Sequence, residues 1–340
     1  MSRAYLAPLS AIYSAAVTAK NLAYENAWFS AKLSWQVVSI GNLSVGGSGK
    51  TPLTIRLAEL FTAEGISVDV LSRGYGRTSS ATERVDTGGD AERFGDEPLL
   101  IARRTGVPVI VSASRYQAGL LAEAGSATPD RPTGHFQSHV HLLDDGFQHR
   151  QLARDVDIIV VHRSDFAEKL LPAGRLREPL SALHRADFIA LREEDADLEP
   201  RLRYLKITAP ILWMQRSLTI PKELAGNAGK VIAFCGIARP DEFFSALIAA
   251  DINVELALTF ADHHRYSRED ISRLKTAAAE AHAVAFVTTE KDAVRLDPAM
   301  LEILESAAPV RVARLEVSLR DEGSIVHQLR SKLASALEAD

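Results

Sequence analysis

The chain has a single cysteine, Cys235. One thiol cannot build an intrachain disulfide framework or a cysteine-based zinc site, and it suits a reducing compartment. Its place at the end of an apolar run reads as a small buried residue. No uninterrupted apolar stretch reaches the roughly 20 residues that a membrane-spanning helix needs. The nearest approach, AYLAPLSAIYSAAVTA at residues 4–19, is uncharged but too short. Low-complexity segments and repeats of fixed period are missing as well. So is an excess of positive charge: the net charge is −5 and the pI near 6.1, which gives no sign of a nucleic-acid partner. Aromatics make up 6% of the chain against 46% hydrophobic residues over 340 positions. That content supports one large core or two smaller ones.

What is present alternates. Apolar runs at 36–40, 67–71, 107–111, 140–143, 157–161 and 188–191 are separated by helical patterns at 50–63, 97–105 and 115–124. A second series has runs at 211–215, 231–235, 254–259, 283–288 and 310–316, with helical patterns at 240–250, 268–281, 299–306 and 324–337. Continuous rather than alternating apolar runs favour a parallel sheet covered on both faces, so the expected class is α/β, doubly wound. The expected division is an N-terminal helical segment (1–35), a nucleotide-binding domain (36–191), a connecting region (192–229), a smaller α/β domain (230–320) and a C-terminal helix (321–340) that could return to the first domain.

In the N-terminal segment Leu6, Leu9, Ile12, Tyr13, Ala16 and Val17 recur at helical spacing, and Lys20 and Lys32 flank Tyr24, Trp28 and Phe29. A signal peptide with Arg3 as its charged start fits less well than one or two helices, because a phosphate loop follows a few residues past Trp35. The pattern suits a helix lying in a membrane interface and equally an amphipathic helix packed on the protein.

The chemistry starts at SVGGSGKT, residues 44–51. Glycines let the backbone N–H groups of Gly46, Gly47, Ser48 and Gly49 turn inward around phosphates, and the helix that follows offers its positive end. With Ser44 and Val45 these residues form the expected nucleotide-phosphate site; Lys50 reaches the β/γ-phosphates and the Thr51 hydroxyl ligates Mg²⁺. The strict motif has glycine where this chain has Ser44. HLLDDGFQH, residues 141–149, ends an apolar strand in two carboxylates. Asp144 is the first choice to hold Mg²⁺ beside a phosphate loop, ahead of Asp145, and Gln148 and His149 lie where a substrate reaches them. SRGYGR at 72–77 places Arg73 at a strand end facing phosphates. FGDEP at 94–98 supplies Asp96 as a candidate base and Glu97 as a further carboxylate for the metal. Arg115 is a second candidate anion clamp.

Three stretches are less specific. TFADHHRYS, 259–267, fits a metal site short of ligands or a histidine that assists a carboxylate base. VTTEKDAVRL, 287–296, has Lys291 and Asp292 adjacent, unlike the guanine-reading N/T-K-x-D of GTPases, and leaves Glu290–Asp292 as a candidate adenine reader. LLPAGRLREPLSAL, 170–183, reads either as an ordered loop near the nucleotide or as a surface connector. On residues alone the phosphate loop says only that the chain handles a nucleoside triphosphate, and both a regulatory ATPase or GTPase working through a protein partner and a kinase or ligase acting on a small soluble metabolite stay open.

The ensemble is more specific than its parts. GNLSVGGSGKTP, SRGYGR, GDEP, LLDDGFQH, LPAGRLREP, FCGIARP, FADHHRY and TTEKDAVRL occur in this order over residues 41–296. The set closely resembles the tetraacyldisaccharide 4′-kinase family of Gram-negative lipid A biosynthesis, including a serine or threonine at the position of Ser44. The resemblance implies ATP and Mg²⁺ as cofactors, phosphorylation of the 4′-hydroxyl of a lipid A disaccharide 1-phosphate, and a peripheral enzyme on the cytoplasmic face of the inner membrane. It implies no obligate protein partner. It favours the membrane-associated reading of residues 5–35. It also implies a catalytic pair of Asp96 and His263, with the carboxylate taking the hydroxyl proton and His264 as the neighbouring alternative. Asp144 and Asp145 take the magnesium side, and Arg73, Arg115, Gln148 and His149 stand near phosphate or sugar.

Overall fold

A computed structural model describes residues 6–25, 30–47, 49–125, 139–224 and 229–338. Ser48 of the phosphate loop, and Trp28 and Phe29 of the N-terminal segment, lie outside the described residues. In chain order the first elements are α1 (Ala7–Glu25), β1 (Gln36–Asn42), α2 (Lys50–Ala63), β2 (Ser67–Ser72), β3 (Glu83–Arg84), α3 (Ala91–Phe94), α4 (Asp96–Thr105), β4 (Val109–Val111), α5 (Arg115–Ala124), β5 (His139–Asp144), β6 (Val156–Val160) and β7 (Phe188–Arg192). The rest are α6 (Glu199–Tyr204), β8 (Ile211–Thr219), β9 (Val231–Cys235), α7 (Pro240–Ala249), β10 (Val254–Thr259), α8 (Arg268–Ala281), β11 (Ala285–Thr289), α9 (Glu290–Ala293), α10 (Pro298–Glu305), β12 (Val310–Leu319) and α11 (Glu322–Glu338).

Twelve strands join in one sheet of order β10-β9-β11-β12-β8-β7-β6-β1-β5-β2-β4-β3. Every pairing is parallel except β12 with β8 and β3 with β4. Every residue of β1, β6, β9 and β11 is buried, as continuous apolar runs covered on both faces require. Cys235 is fully buried at the end of β9. The segment expected as a connector contains β8, which fuses the two halves. Its first residues run parallel to β7, and residues 214–219 then pair antiparallel with 314–319 of β12. β12 is shared in the same way, since residues 310–313 pair with β11. The short β3 and α9 have too few residues to show a period and were not legible.

The last helix does return to the first half. Ile325, Val326, Leu329 and Leu333 of α11 enter the cluster formed by Val38, Ile40, Leu53 and Leu57. Leu333 also accepts a hydrogen bond from the Gln36 amide at 2.7 Å, and Arg56 pairs with Glu322. Truncating a buried leucine such as Leu329 would cost about 2–5 kcal/mol.

α1 lies along the 170–178 loop. Ser10 and Tyr13 donate to the carbonyls of Leu170 and Arg177, and Asn21 donates to Glu178 at 2.8 Å. These three face one way at helical spacing. Leu9, Ile12 and Leu22 are exposed on the helix, Ile12 by 66%. Among the described residues no helix is long and apolar enough to cross a membrane.

At the opposite end of the central strands His141 of β5 faces Asp69 of β2, its register partner. His141 Nδ1 is 2.7 Å from Asp69 Oδ1, its Nε2 is 3.5 Å from Glu123, and Trp35 tilts over the ring. Burial alone would lower the His141 pKa, but the Asp69 and Glu123 charges outweigh it and lift it to about 9. A histidine whose folded pKa is raised contributes stability that is complete below its unfolded pKa and lost as pH climbs through the folded one. The thermal unfolding midpoint should therefore fall between pH 6.5 and 9, and His141→Asn should flatten that fall. An unchanged slope in the variant, followed by calorimetry, would remove this ion cluster from the stability profile.

Candidate active site

β1, β2, β4 and β5 end on the same side of the sheet, so their following loops converge. The phosphate loop turns through left-handed backbone at Gly46 (φ 106°) and Gly49 (φ 86°), the latter capping α2. Only glycine takes such angles without strain. Lys50, first in α2, donates to Asn42 Oδ1 at 2.9 Å and lies 3.4 Å from Asp145. Thr51 is buried beside it. Ser44 and Val45 are held by the 170–183 stretch, which resolves as an ordered loop across the phosphate loop. Ser44 bridges to Leu176, Val45 N donates to Arg175 O at 2.9 Å, and the Arg175 side chain returns to Val45 O. A Cβ at Gly46 would fall 2.2 Å from Arg175 Nη2, the mobile tip of a side chain, so it is the left-handed backbone that calls for glycine there. Gly47 faces Ala238 of the second half.

The two aspartates are held differently. Asp145 takes a left-handed turn (φ 50°) and is bound by Arg177 at 2.8 and 2.9 Å, with Lys50 near. Arg177 also reaches Asn42 Oδ1. Asp144 accepts from Ser72 Oγ at 3.2 Å, while its other oxygen is buried without a hydrogen-bond partner among the described residues. Burial, with the like charges of Glu97 and Asp145, pushes its pKa up to about 7. An orphaned buried carboxylate oxygen beside Thr51 and the phosphate-loop lysine is what a divalent cation would satisfy. No group of three or more His, Cys, Asp or Glu side chains among the described residues could hold a metal unaided. This suits Mg²⁺, which is held by one or two carboxylates plus substrate phosphates. Thr51 and Asp144 fit the ion best, because Asp145 is already neutralised and Glu97 is occupied. Lys291 Nζ lies 2.5 Å from Glu97 Oε1.

The expected substrate residues gather beside the aspartates. Gln148 donates to Asn42 O at 2.9 Å and to Glu178. Arg115 is buried at 5% exposure, with an Nε that finds no partner among the described residues. His149 is held neutral: burial first, then Arg115 and Arg154, bring its pKa down to about 4. Arg73 is exposed on the wall of the same cavity.

Asp96 and His263 come together across the two halves. His263 adopts φ 59°, and this turn aims its Nδ1 at Asp96 Oδ2, 2.9 Å away. The histidine register is thereby fixed, since His264 instead bonds Asp270 at 3.0 Å and stacks on Phe260. Asp96 Oδ2 is bound as well by Arg295 Nη2 at 2.6 Å. Burial would raise the Asp96 pKa, but His263, Arg295 and Lys291 hold it far below the ordinary carboxylate range. His263 lines the cavity, whereas Asp96 stands behind it. Asp292, in the loop expected to read adenine, is fully buried and accepts from Gly236 N, Tyr266 OH and Thr289 Oγ1. Glu290 is paired with Arg104. Both carboxylates are taken up internally, while Thr289, Glu290 and Lys291 of this loop line the cavity.

Sequence reasoning did not single out Arg177, Arg295 and Asn42, since each works through partners remote in the chain. The cavity they line or support has a volume of about 1180 Å³. Its wall includes the phosphate loop, Lys20 of α1, the arginines Arg192, Arg216 and Arg239, and the apolar Leu218, Phe243 and Leu315. It exceeds the usual few-hundred to ~1,000 Å³ of small-ligand sites.

Comparison with known proteins gives one answer. A family model described as tetraacyldisaccharide-1-P 4′-kinase (LpxK) matches residues 2–334. The tetraacyldisaccharide 4′-kinase of Koribacter versatilis is 40% identical over 331 residues, spanning 95% of this chain and 97% of its own. That of Geobacter metallireducens is 37% identical over 335 residues and 94% of each chain. The crystal structure of LpxK from Aquifex aeolicus in complex with ATP superposes with a TM-score of 0.76 at 30% identity, covering 98% of this chain and 100% of that one.

The unpartnered Asp144 carboxylate makes a stability prediction. An acid whose folded pKa is raised destabilises the fold when ionised, a cost absent below its unfolded pKa near 4 and complete above about 7. Asp144→Asn should raise the ligand-free melting temperature at pH 8 by a few degrees and abolish Mg²⁺-dependent nucleotide binding in calorimetry. A lower melting temperature together with intact Mg²⁺ dependence would contradict both halves of the assignment.

Proposed function

The chain belongs to the tetraacyldisaccharide-1-phosphate 4′-kinase family, and we propose that Asp96 and His263 form its proton-accepting pair, with His263 facing the sugar. The enzyme is an ATP-dependent phosphotransferase with an alcohol acceptor. It phosphorylates the 4′-hydroxyl of tetraacyldisaccharide 1-phosphate in lipid A biosynthesis.

The reading of the site rests above all on the 2.9 Å contact between His263 Nδ1 and Asp96 on a cavity wall shared with Lys50 and Asp144. The 4′-oxygen bonds to the γ-phosphorus, the bond to the bridging oxygen breaks towards ADP, and the hydroxyl proton leaves to His263 Nε2. Asp96 keeps the Nδ1–H tautomer and steadies the imidazolium that results. Gly46, Gly47, Gly49 and Lys50 would hold the phosphates, and Thr51 and Asp144 would hold a Mg²⁺ ion that neutralises phosphate charge. Arg73, Arg115, Gln148 and neutral His149 stand on the side where the sugar enters. Arg115 suits an anionic group because its guanidinium is buried with an unused N–H.

The acceptor is a lipid, so it is reached from a bilayer surface. The exposed Leu9, Ile12 and Leu22 of α1 support docking on the cytoplasmic face of the inner membrane, with the opposite face of the helix bonded to the 170–178 loop.

Radiolabel transfer from [γ-³²P]ATP to lipid A disaccharide 1-phosphate in mixed micelles tests the pair. Asp96→Ala and His263→Gln should bind ATP normally and lose at least about 10²-fold in turnover. The bond to Asp96 raises the His263 pKa above 6.5, so kcat/KM should fall as pH drops through that region, and Asp96→Asn should move the fall to lower pH. A profile flat to pH 5 would give the proton to Asp96 itself. For α1, Ile12→Asp with Leu22→Asp should abolish co-sedimentation with anionic phospholipid vesicles while sparing ATP binding; retained sedimentation would deny the helix that role.

A further inference from the structure

We propose that Lys291 is a further catalytic residue, which neutralises the phosphoryl group on the acceptor side as it passes from nucleotide to sugar. The inference rests on the kinase reading above. Lys291 belongs to α9, in the second half, and crosses the cleft to Glu97 at 2.5 Å. Both side chains lie on the cavity wall with Lys50, Thr51, Asp144 and His263. Glu97 is in electrostatic contact with Lys291 and, on its other side, with Lys50 and Asp144. Lys291 is likewise within electrostatic range of Asp96 and His263. Lys291 thus shares one cavity wall with the phosphate-binding residues and with the proton acceptor.

The chemistry asks for a cation at that point. A metaphosphate-like group spreads its charge over three equatorial oxygens, and Lys50 covers the nucleotide side alone. Most of the cavity's other described cations have partners of their own, while Arg73 and Arg115, with its unused Nε, stand on the side where the sugar enters. Arg177 is spent on Asp145, and Arg115 lies beside Asp144, Asp145 and Arg73. Arg192 and Arg239 converge on His162, while Arg216 pairs with Glu242. A lysine suits a moving target, having three donors on a flexible stem and no fixed plane.

The Lys291–Glu97 pair also differs from the pairs that clamp the halves together. Arg295 and Asp96 are 5% and 8% exposed, against 24% and 27% for Lys291 and Glu97. Docking is carried by the buried pair, and the open one faces the cavity.

The test uses full-length enzyme with Lys291→Met, which keeps the stem, and Lys291→Arg, which keeps the charge. Calorimetry would measure MgADP affinity with and without aluminium fluoride, a mimic of the transferring group, beside single-turnover phosphorylation of the lipid. Lys291→Met should hold MgADP within about threefold yet lose roughly 10²–10³-fold both in the aluminium fluoride complex and in turnover, the scale of one transition-state donor. Lys291→Arg should recover part of each. Should the Met variant unfold, Lys291→Gln takes its place. Undiminished aluminium fluoride affinity, or an equal loss with and without fluoride, would overturn the assignment. A wild-type enzyme that gained no affinity from aluminium fluoride would fail the kinase reading itself, and this inference with it.

Discussion

The buried contact of Arg295 with Asp96 is the interaction on which the site depends. Arg295 places Nε and Nη2 on the carboxylate and Nη1 on Gly236 O and Asp292. Asp292 in turn takes Gly236 N, Tyr266 OH and Thr289 Oγ1. The loops after β9, β10 and β11 are therefore tied to one carboxylate at the start of α4. Gly236 has no room for a side chain in this knot, since a Cβ would lie 2.8 Å from Ala261 O. Removing one member of a buried charged network strands the others and costs several kcal/mol, on the order of 3–5. The residues that present His263 and Lys291 to the cavity are ordered by the contact that joins the two halves, so fold and site are not separable here.

The phosphate end is a self-neutralised network of the same kind. Lys50, Arg177, Asn42 and Asp145 satisfy one another without a ligand. Phosphate oxygens entering the loop would exchange with carboxylate and amide oxygens rather than meet bare cations. Beside this network Asp144 keeps one buried oxygen without a hydrogen-bond partner among the described residues, as does Arg177 Nε within it.

Much of this was legible because it is local. A continuous apolar run, a glycine-rich turn and a helix lie within one short segment, and backbone geometry makes that sequence a phosphate loop. The strand-end aspartates and the return of α11 could likewise be read from period and position. Pairings across the chain were not. The choice between His263 and His264 is made by a left-handed turn that adjacent histidines do not announce. Lys291 and Arg295 look like helix-surface charges until α4 is brought against them from nearly 200 residues away. The stretch at 170–183 has a pattern of prolines and arginines that suits a connector as well as a cover for the phosphate loop. Segment 192–229 reads as linker although it holds the apolar run at 211–215, because charged turns surround that run and nothing local announces that β8 extends to Thr219 and serves different neighbours at its two ends.

α11 gives the chain an unusual order of assembly. The cluster around β1 and α2 is closed by Leu329 and Leu333, and Gln36 bonds a carbonyl 297 positions further along. A nascent chain leaving the ribosome from its N-terminus would make every strand of the nucleotide half before the residues that seal its core. Contacts of such separation carry a high loop-closure cost and slow folding. Expressed alone, the nucleotide half would lack the helix that covers this part of its core. Until the final turns of helix emerge, its apolar faces stay open to chaperones and to aggregation.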